Sequence, residues 1–307
     1  MKVSVVIPCY YSEQMLRGTV DEIIKNIYDF DYEIILVNDG SADGTYDIIK
    51  DIAEKNDRII GINLASNVGQ HNATMAGFNY VTGDRVLVCS DDGQSPIEAF
   101  DDMMSELDNG SDCVCVYYES RKQIKPIRRL GSRLALSTSG WLIDKPKDVY
   151  FSFDFMADAF VVKEMVRYNG PYSSIEGLLF RTTKNVTNIV APQHNRKQGK
   201  SGYTFKKLLA LWLNGFTAFS IKPLRISTFV GFTFSFVGFI YALVTLIRRL
   251  MGAEIQLGWS SVIIILLVGL GFIMVLLGLI GEYVGRIYMC INNSPQYVIK
   301  EVVRRDI

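Results

Sequence analysis

Histidine is nearly absent from this chain, with two in 307 residues, His71 and His194. The cysteines are few and odd in number: Cys9, Cys89, Cys113, Cys115 and Cys290, most of them in apolar, strand-like runs. A Cys/His zinc site is therefore not expected, and reduced, buried thiols in a cytosol-facing domain are the simpler reading. Neither sign of charge is in excess, since Lys+Arg and Asp+Glu both number 32. That excludes the general phosphate neutralisation on which nucleic-acid binding relies, though not a local basic patch. The opening stretch MKVSVVIPCYYSE has no apolar leader and enters strand-like sequence at once, so export of the front of the chain is not expected.

What the chain does have is two long uncharged runs near its C-terminus, Ile226–Ile247 and Trp259–Ile280, each of 22 residues. At about 1.5 Å per helical residue, each matches the roughly 30 Å hydrocarbon core of a bilayer. A soluble helix keeps one polar face, and these keep none. The chain thus divides into a polar body and a membrane hairpin, and its chemistry is expected at a membrane surface.

The body alternates strand and helix patterns. Lys2–Cys9, Tyr32–Val37, Arg58–Leu64, Arg85–Cys89 and Asp112–Tyr118 read as buried strands. Between them, helical spacing covers Leu16 to Ile27, a stretch from Asp43 as a cap to Asn56, Gln70–Val81 and Pro96–Leu107. Alternation at this spacing predicts an α/β fold, a mostly parallel sheet flanked by helices. Ligands of such sheets bind beyond the carboxyl ends of the strands. Asp39 ends the second strand, Asn67 follows the third, and Asp91 and Asp92 end the fourth. An isolated Asp-Gly or Asn-Gly is usually only a turn, but several at corresponding strand ends point to one crevice.

At these residues the chain resembles the family 2 glycosyltransferases of GT-A fold, and within them the polyprenyl-phosphate glycosyltransferases, the group of dolichol-phosphate mannose synthase and the bacterial GtrB-type enzymes. The resemblance runs over almost the whole chain. Val6-Ile7-Pro8-Cys9-Tyr10 with Glu13 is similar to the opening nucleotide-binding motif, and EIILVNDGSADGT (33–45) to the second-strand motif. NVGQHNA (67–73) resembles the segment after strand three, and SDDGQSP (90–96) the metal-binding D-x-D-x-Q-x-P segment. HNRKQGKSGY (194–203) resembles the late basic loop, and GEYVGRIY (281–288) the close of the second membrane helix. Two positions depart from the pattern: Ser90 replaces the first D-x-D aspartate, and Tyr11 stands where asparagine is common.

The resemblance implies a nucleotide-sugar donor contacted by Pro8, Tyr10, Glu13, Asp39, Asn67 and Gln70, with Arg196 and Lys200 closing over its diphosphate. It also implies Mg²⁺ or Mn²⁺, with Asp92 as first ligand and the Gln94 carbonyl oxygen as second; oxygen donors suit such hard cations. Asp92, or Ser95 before Pro96, would equally serve as an acidic helix cap. Asp91 is a further candidate catalytic group. Successive strand residues point to opposite faces, so Asp91 can stand in for the missing aspartate only if the strand has already ended. The implied acceptor is a polyprenyl phosphate, bound by Arg121, Arg128 and Ser132 with Ser201 and Tyr203; Arg128 and Ser132 have helical i, i+4 spacing. A phosphate monoester, with its second pKa at about 6, is already a nucleophile at neutral pH and needs no strong base. Asp158, in FDFMADAFVVKEM, lies near a family position assigned a catalytic acid, and a helix cap accounts for it equally.

These readings give a catalytic domain over 1–203, an amphipathic juxtamembrane helix and linker over 204–225, two membrane helices over 226–282 and a cytoplasmic tail over 283–307. An even number of spans returns the tail to the catalytic side. Lys206, Lys207, Lys222 and Arg225 favour the cytoplasm for that side, against a weaker pull from Arg248 and Arg249. An inner-membrane, multi-pass protein with both termini cytoplasmic is expected. Gly281 and Gly285 give a small-xxx-small spacing suited to helix packing, and the resemblance implies a homo-oligomer, a tetramer. The expected activity is inverting transfer of one sugar to undecaprenyl phosphate on the cytoplasmic leaflet. Two alternatives stand beside it: transfer to a glycan hydroxyl or glycolipid, and a nucleotide-binding scaffold that lost catalysis with Ser90.

Overall fold

β-branched side chains crowd the first strand, β1 (Lys2–Cys9), where Val3, Val5, Val6 and Ile7 are all fully buried. Neighbouring residues point to opposite faces, so both faces of β1 are covered. The computed structural model describes residues 1–118, 140–192, 194, 222–251, 258–292 and 294–305. They belong to two units, Met1–Leu209 with Asn293–Ile307, and Ala210–Asn292.

In the first unit β1 is followed by α1 (Leu16–Ile27), β2 (Asp31–Asn38), α2 (Thr45–Lys55), β3 (Ile59–Leu64), α3 (Gln70–Phe78) and β4 (Arg85–Val88). A 3₁₀ turn at Ile97–Ala99 opens α4 (Phe100–Asp108), and β5 (Cys113–Tyr118) follows. The expected alternation is present, with α3 three residues shorter than its pattern predicted. Asp43 does not hold the N-cap of α2, which is Gly44; its carboxylate instead accepts from Thr45 N–H (3.2 Å) and Thr45 Oγ1 (2.6 Å) one residue inside. After 139 come β6 (Phe155–Asp158), α5 (Ala159–Val166), α6 (Ile175–Thr182) and β7 (Val186–Ala191). The last strand, β8 (Ile299–Val303), lies beyond the apolar helices in sequence.

The eight strands form one sheet in the order β7-β5-β6-β4-β1-β2-β3-β8. β3, β2, β1 and β4 run parallel. The chain winds outward from β1 through β2 and β3, then returns to the other side of β1 for β4, so the winding reverses between β1 and β4. Such a reversal opens a crevice at the carboxyl ends. β6 is inserted antiparallel between β4 and β5, and β8 caps the far edge antiparallel to β3. The main core lies on one sheet face, where Leu16, Val20, Ile23 and Ile27 of α1 share a helix stripe with Ile49 and Ala53 of α2 and Phe100, Met103 and Leu107 of α4.

The second unit contains α7 (Lys222–Leu250) and α8 (Trp259–Ile291), which meet at a stacked Phe234–Phe272 pair with ring centroids 5.6 Å apart. The stretches Lys222–Tyr241 and Gly269–Ile291 are long and apolar enough to cross a membrane. Large apolar side chains such as Phe229, Phe232 and Met274 are about seventy per cent exposed, a surface suited to lipid. The boundary expected at residue 282 falls inside α8, which carries on through an i, i+4 pair, Arg286 Nη2 to Glu282 Oε1 at 2.9 Å. Of the expected juxtamembrane helix and linker at 204–225, residues 204–221 lie outside the described residues, and Lys222 to Arg225 open α7.

Candidate active site at the switch between two parallel strands

β4 ends at Val88, so Ser90, Asp91 and Asp92 are turn residues and strand alternation does not constrain them. Asp91 turns toward the loop after β1. Its Oδ2 accepts the Tyr10 N–H at 2.9 Å and the Ser12 hydroxyl, and its carbonyl accepts Thr19 Oγ1–H at 3.2 Å. Burial raises the Asp91 carboxyl above its ordinary range, the Ser12 and Tyr10 donors oppose the rise, and the Asp92 charge adds to it. Asp91 thus ties the two diverging loops together at the reversal point.

Asp92 is buried, and its Oδ1 accepts Ser90 Oγ–H at 2.9 Å and Gln94 N–H at 3.1 Å. Gly93 makes the bend, with φ of 67°. The Gln94 side-chain amide donates to the His194 carbonyl at 3.3 Å, which commits its nitrogen and leaves its oxygen on the other branch. His194 itself pairs with Glu98 at 2.7 Å, so the start of the basic loop is anchored beside the metal candidates. Among the described residues no three His, Cys, Asp or Glu side chains gather as a metal cage. A small hard cation held chiefly by substrate phosphates needs only one or two protein oxygens, and Asp92 with Gln94 fits that donor set.

On the other side of the crevice, Asp39 is buried at the end of β2 and fully engaged. Its Oδ1 accepts Val68 N–H at 2.7 Å, and its Oδ2 accepts Gly69 N–H at 3.0 Å and Asn67 Nδ2–H at 2.9 Å. Burial raises its carboxyl against the lowering effect of the two backbone donors. The structure therefore gives Asp39 the task of holding the 67–69 loop, which delivers Gln70 as the first residue of α3. Gly40 makes that approach possible: at φ 63°, a Cβ here would lie 2.5 Å from Asn67 N. Glu13 Oε2 accepts Gly44 N–H at 3.1 Å, securing the start of α2. Pro8 is buried in β1 opposite Val37, and Tyr10 beyond it is half-exposed. His71 is a neutral strut: burial pushes it down to about 4, and its Nδ1 accepts Ile175 N–H at 3.0 Å.

Asp158 is not part of this assembly. β6 runs antiparallel to β4, pairing Val88 with Phe155 and Arg85 with Asp158. At about 3.3 Å per residue, Asp158 lies some 10 Å along the strand from the crevice end. There it is bound to the Arg85 guanidinium, and it occupies the N-cap position of α5 without a side-chain cap bond. The same reversal brings in an acid that sequence reading passed over. Asp154, just before β6, is in hydrogen-bonding contact with the Ser95 hydroxyl at Oδ1 and accepts the Tyr118 hydroxyl at Oδ2. Its only sequence signal was its place four residues before Asp158, and only the direction of β6 gives that meaning. Arg121, Arg128, Ser132, Arg196, Lys200, Ser201 and Tyr203 lie outside the described residues.

A sheet reversal lined by Tyr10, Asp39, Asp91, Asp92 and Gln94 is a GT-A arrangement, and comparison with known proteins agrees. The crystal structure of glucosyl-3-phosphoglycerate synthase from Mycobacterium tuberculosis, solved with Mn²⁺, UDP-glucose and phosphoglyceric acid, matches with a TM-score of 0.50. That match covers 69% of this chain and 76% of that one at 16% identity, a likeness of fold. The glycosyltransferase YkcC of Bacillus subtilis (strain 168), itself uncharacterised, is 30% identical over 304 residues, covering 97% of this chain and 93% of YkcC. An undecaprenyl-phosphate 4-deoxy-4-formamido-L-arabinose transferase of Enterobacter sp. (strain 638) is 31% identical over 319 residues, covering 99% and 94%. The model for the GtrB C-terminal hairpin matches residues 222–287, the apolar helices. The glycosyl transferase family 2 model matches residues 4–162, from β1 through β6, and the chain belongs to that family.

Proposed function

We propose that this protein is a membrane-bound inverting glycosyltransferase that moves one sugar from a nucleotide-sugar donor to undecaprenyl phosphate at the cytoplasmic leaflet. The observation that carries the reading is a donor-type crevice, centred on Asp91, Asp92 and Gln94, on a chain that also carries two apolar helices. Relatives that act on undecaprenyl phosphate by name align over nearly its full length. Pro8, Tyr10, Glu13, Asp39, Asn67 and Gln70 frame the nucleotide end, and Arg196 and Lys200 are assigned to the diphosphate.

A divalent cation, Mg²⁺ or Mn²⁺, held by Asp92 and Gln94, would offset the charge of the departing diphosphate. The protein's own work is positioning. Asp91 fixes the β1 loop against the β4 loop, and Asp39 fixes the loop that carries Gln70. The acceptor phosphate, assigned to Arg121, Arg128, Ser132, Ser201 and Tyr203, attacks the anomeric carbon directly, and the bond from that carbon to the leaving diphosphate breaks. No general base is required, which accords with the remote position of Asp158.

The test is radiolabelled sugar transfer by the purified full chain into undecaprenyl phosphate, over a panel of nucleotide sugars, with and without EDTA. Metal-dependent transfer from one donor is expected. Nucleotide binding without transfer from any donor would sink the proposal and favour a scaffold.

A further inference from the structure

Ser90 stands where the resembling enzymes carry an aspartate, and its surroundings contain a proton that no hydroxyl supplies. Four oxygens lie in series: Asp92 Oδ1, Ser90 Oγ, Ser95 Oγ and Asp154 Oδ1. The first two are 2.9 Å apart, the middle two 2.9 Å apart, and the last two in hydrogen-bonding contact. Asp92 Oδ1 also accepts the Gln94 backbone N–H, a group that can only donate. An oxygen so engaged is an acceptor, so Ser90 donates its proton to Asp92. The proton in the Ser90–Ser95 contact then comes from Ser95, whose remaining lone pair accepts Ser90 N–H at 2.8 Å. Ser95 has no second proton for Asp154. Three contacts need three protons, and the two serines hold two.

We propose that Asp154 is a neutral acid and a positioning residue, supplying the third proton so that a directed relay runs from Asp154 through Ser95 and Ser90 to Asp92. Tyr118 donates to its other oxygen. The titratable groups that face it are Asp92 on the β4 loop, Cys89 at the end of β4 and Tyr118 on β5, with Tyr150 beyond Tyr118. Burial favours the neutral form, and the hydroxyl donated by Tyr118 opposes it. With Asp154 ionised, the 2.9 Å contact between the two serines would hold no proton, and two buried carboxylates would face each other across them. With it neutral, every contact in the series holds a proton, and Asp92 Oδ1 is locked in place by Ser90 and Gln94. Ser90 thus becomes a connector rather than a lost ligand. The inference deepens the proposed function, because it takes Asp92 as the metal-facing group.

Asp154→Asn tests it. The asparagine amide is close to isosteric with the neutral acid, donating to Ser95 and accepting from Tyr118. In the full chain, Mn²⁺ affinity in the presence of UDP, read by electron paramagnetic resonance, is expected to change by no more than about threefold, as for an exchange of neutral hydrogen-bonding groups. Ser95→Ala, which cuts the relay, is expected to weaken Mn²⁺ about tenfold. The infrared difference between wild type and Asp154→Asn at neutral pH should contain a carboxylic-acid carbonyl band. A carboxylate band in its place would overturn the proposal. So would tenfold weaker Mn²⁺ binding in an Asp154→Asn protein of unchanged melting temperature. Both readouts are independent of sugar transfer, so failure of the relay and failure of the proposed reaction are told apart.

Discussion

Tyr11 has a left-handed backbone, φ 57°, with its N–H donating to Ser41 Oγ at 3.2 Å. A bulky side chain there is strained, whereas asparagine visits this region readily, which gives the family's preference for asparagine a physical reason. Tyr11→Asn is expected to raise stability by about 0.5–1 kcal/mol in urea unfolding. Gly40→Ala should do the opposite, costing about 2 kcal/mol or more, because its Cβ would collide with the backbone of Ser66 and Asn67. Glu33 offers a pH test. Burial works against its charge, but Lys2 Nζ (2.7 Å), Ser4 Oγ (2.5 Å) and Thr82 N (2.6 Å) together hold its carboxyl below the ordinary range. Its contribution is therefore present above the unfolded carboxyl's pKa of about 4.3 and fades as pH falls through the lower folded value. Glu33→Gln should cost about 2 kcal/mol near neutrality, and the gap to wild type should close in unfolding at acid pH. The residues whose place at the crevice was legible in the sequence were those at strand ends, such as Asp39, Asp91 and Asp92. Asp154 was hidden because its meaning depends on a strand direction that local pattern does not encode.

At the scale of elements, periodicity located β1 to β5 because each is a run of apolar residues followed by a helix of distinct period. β6 has four residues and β8 five, and β8 is mostly exposed, so neither carries a strong pattern of its own. β8 is an edge strand in place through pairing and through small ties on and just before it. Val298 O accepts Ala65 N–H at 2.8 Å, Tyr297 OH accepts Asn79 Nδ2–H at 2.7 Å, and Lys50 lies 3.6 Å from Glu301. Truncation after Ser294 should uncover the β3 edge. Hydrogen exchange at Gly61 and Asn63, which pair with Val303 and Glu301, is expected to accelerate and the body's melting temperature to fall. Unchanged protection would mean that β8 contributes nothing to the sheet.

For the whole molecule, the pairing of β3 with β8 bears on how the chain is threaded. One sheet contains residues from before and after the apolar helices, so with those helices in a membrane both flanking segments are expected on one side of it. With the body cytoplasmic, cysteines introduced by Ser41→Cys and Lys300→Cys should resist an impermeant maleimide in spheroplasts and react after lysis. Gly258→Cys, before α8, should react from outside. Labelling of Lys300→Cys in intact spheroplasts would refute this arrangement. The apolar helices are in this sense an insertion into a sheet that is finished only by the strand following them. During synthesis the β3 edge stands open until α7 and α8 have left the ribosome, and β8 closes it last. Until β8 is made, β3 is an unpaired strand edge of the kind that invites misassociation, so the sheet stays incomplete for the whole time that the apolar helices are being synthesised.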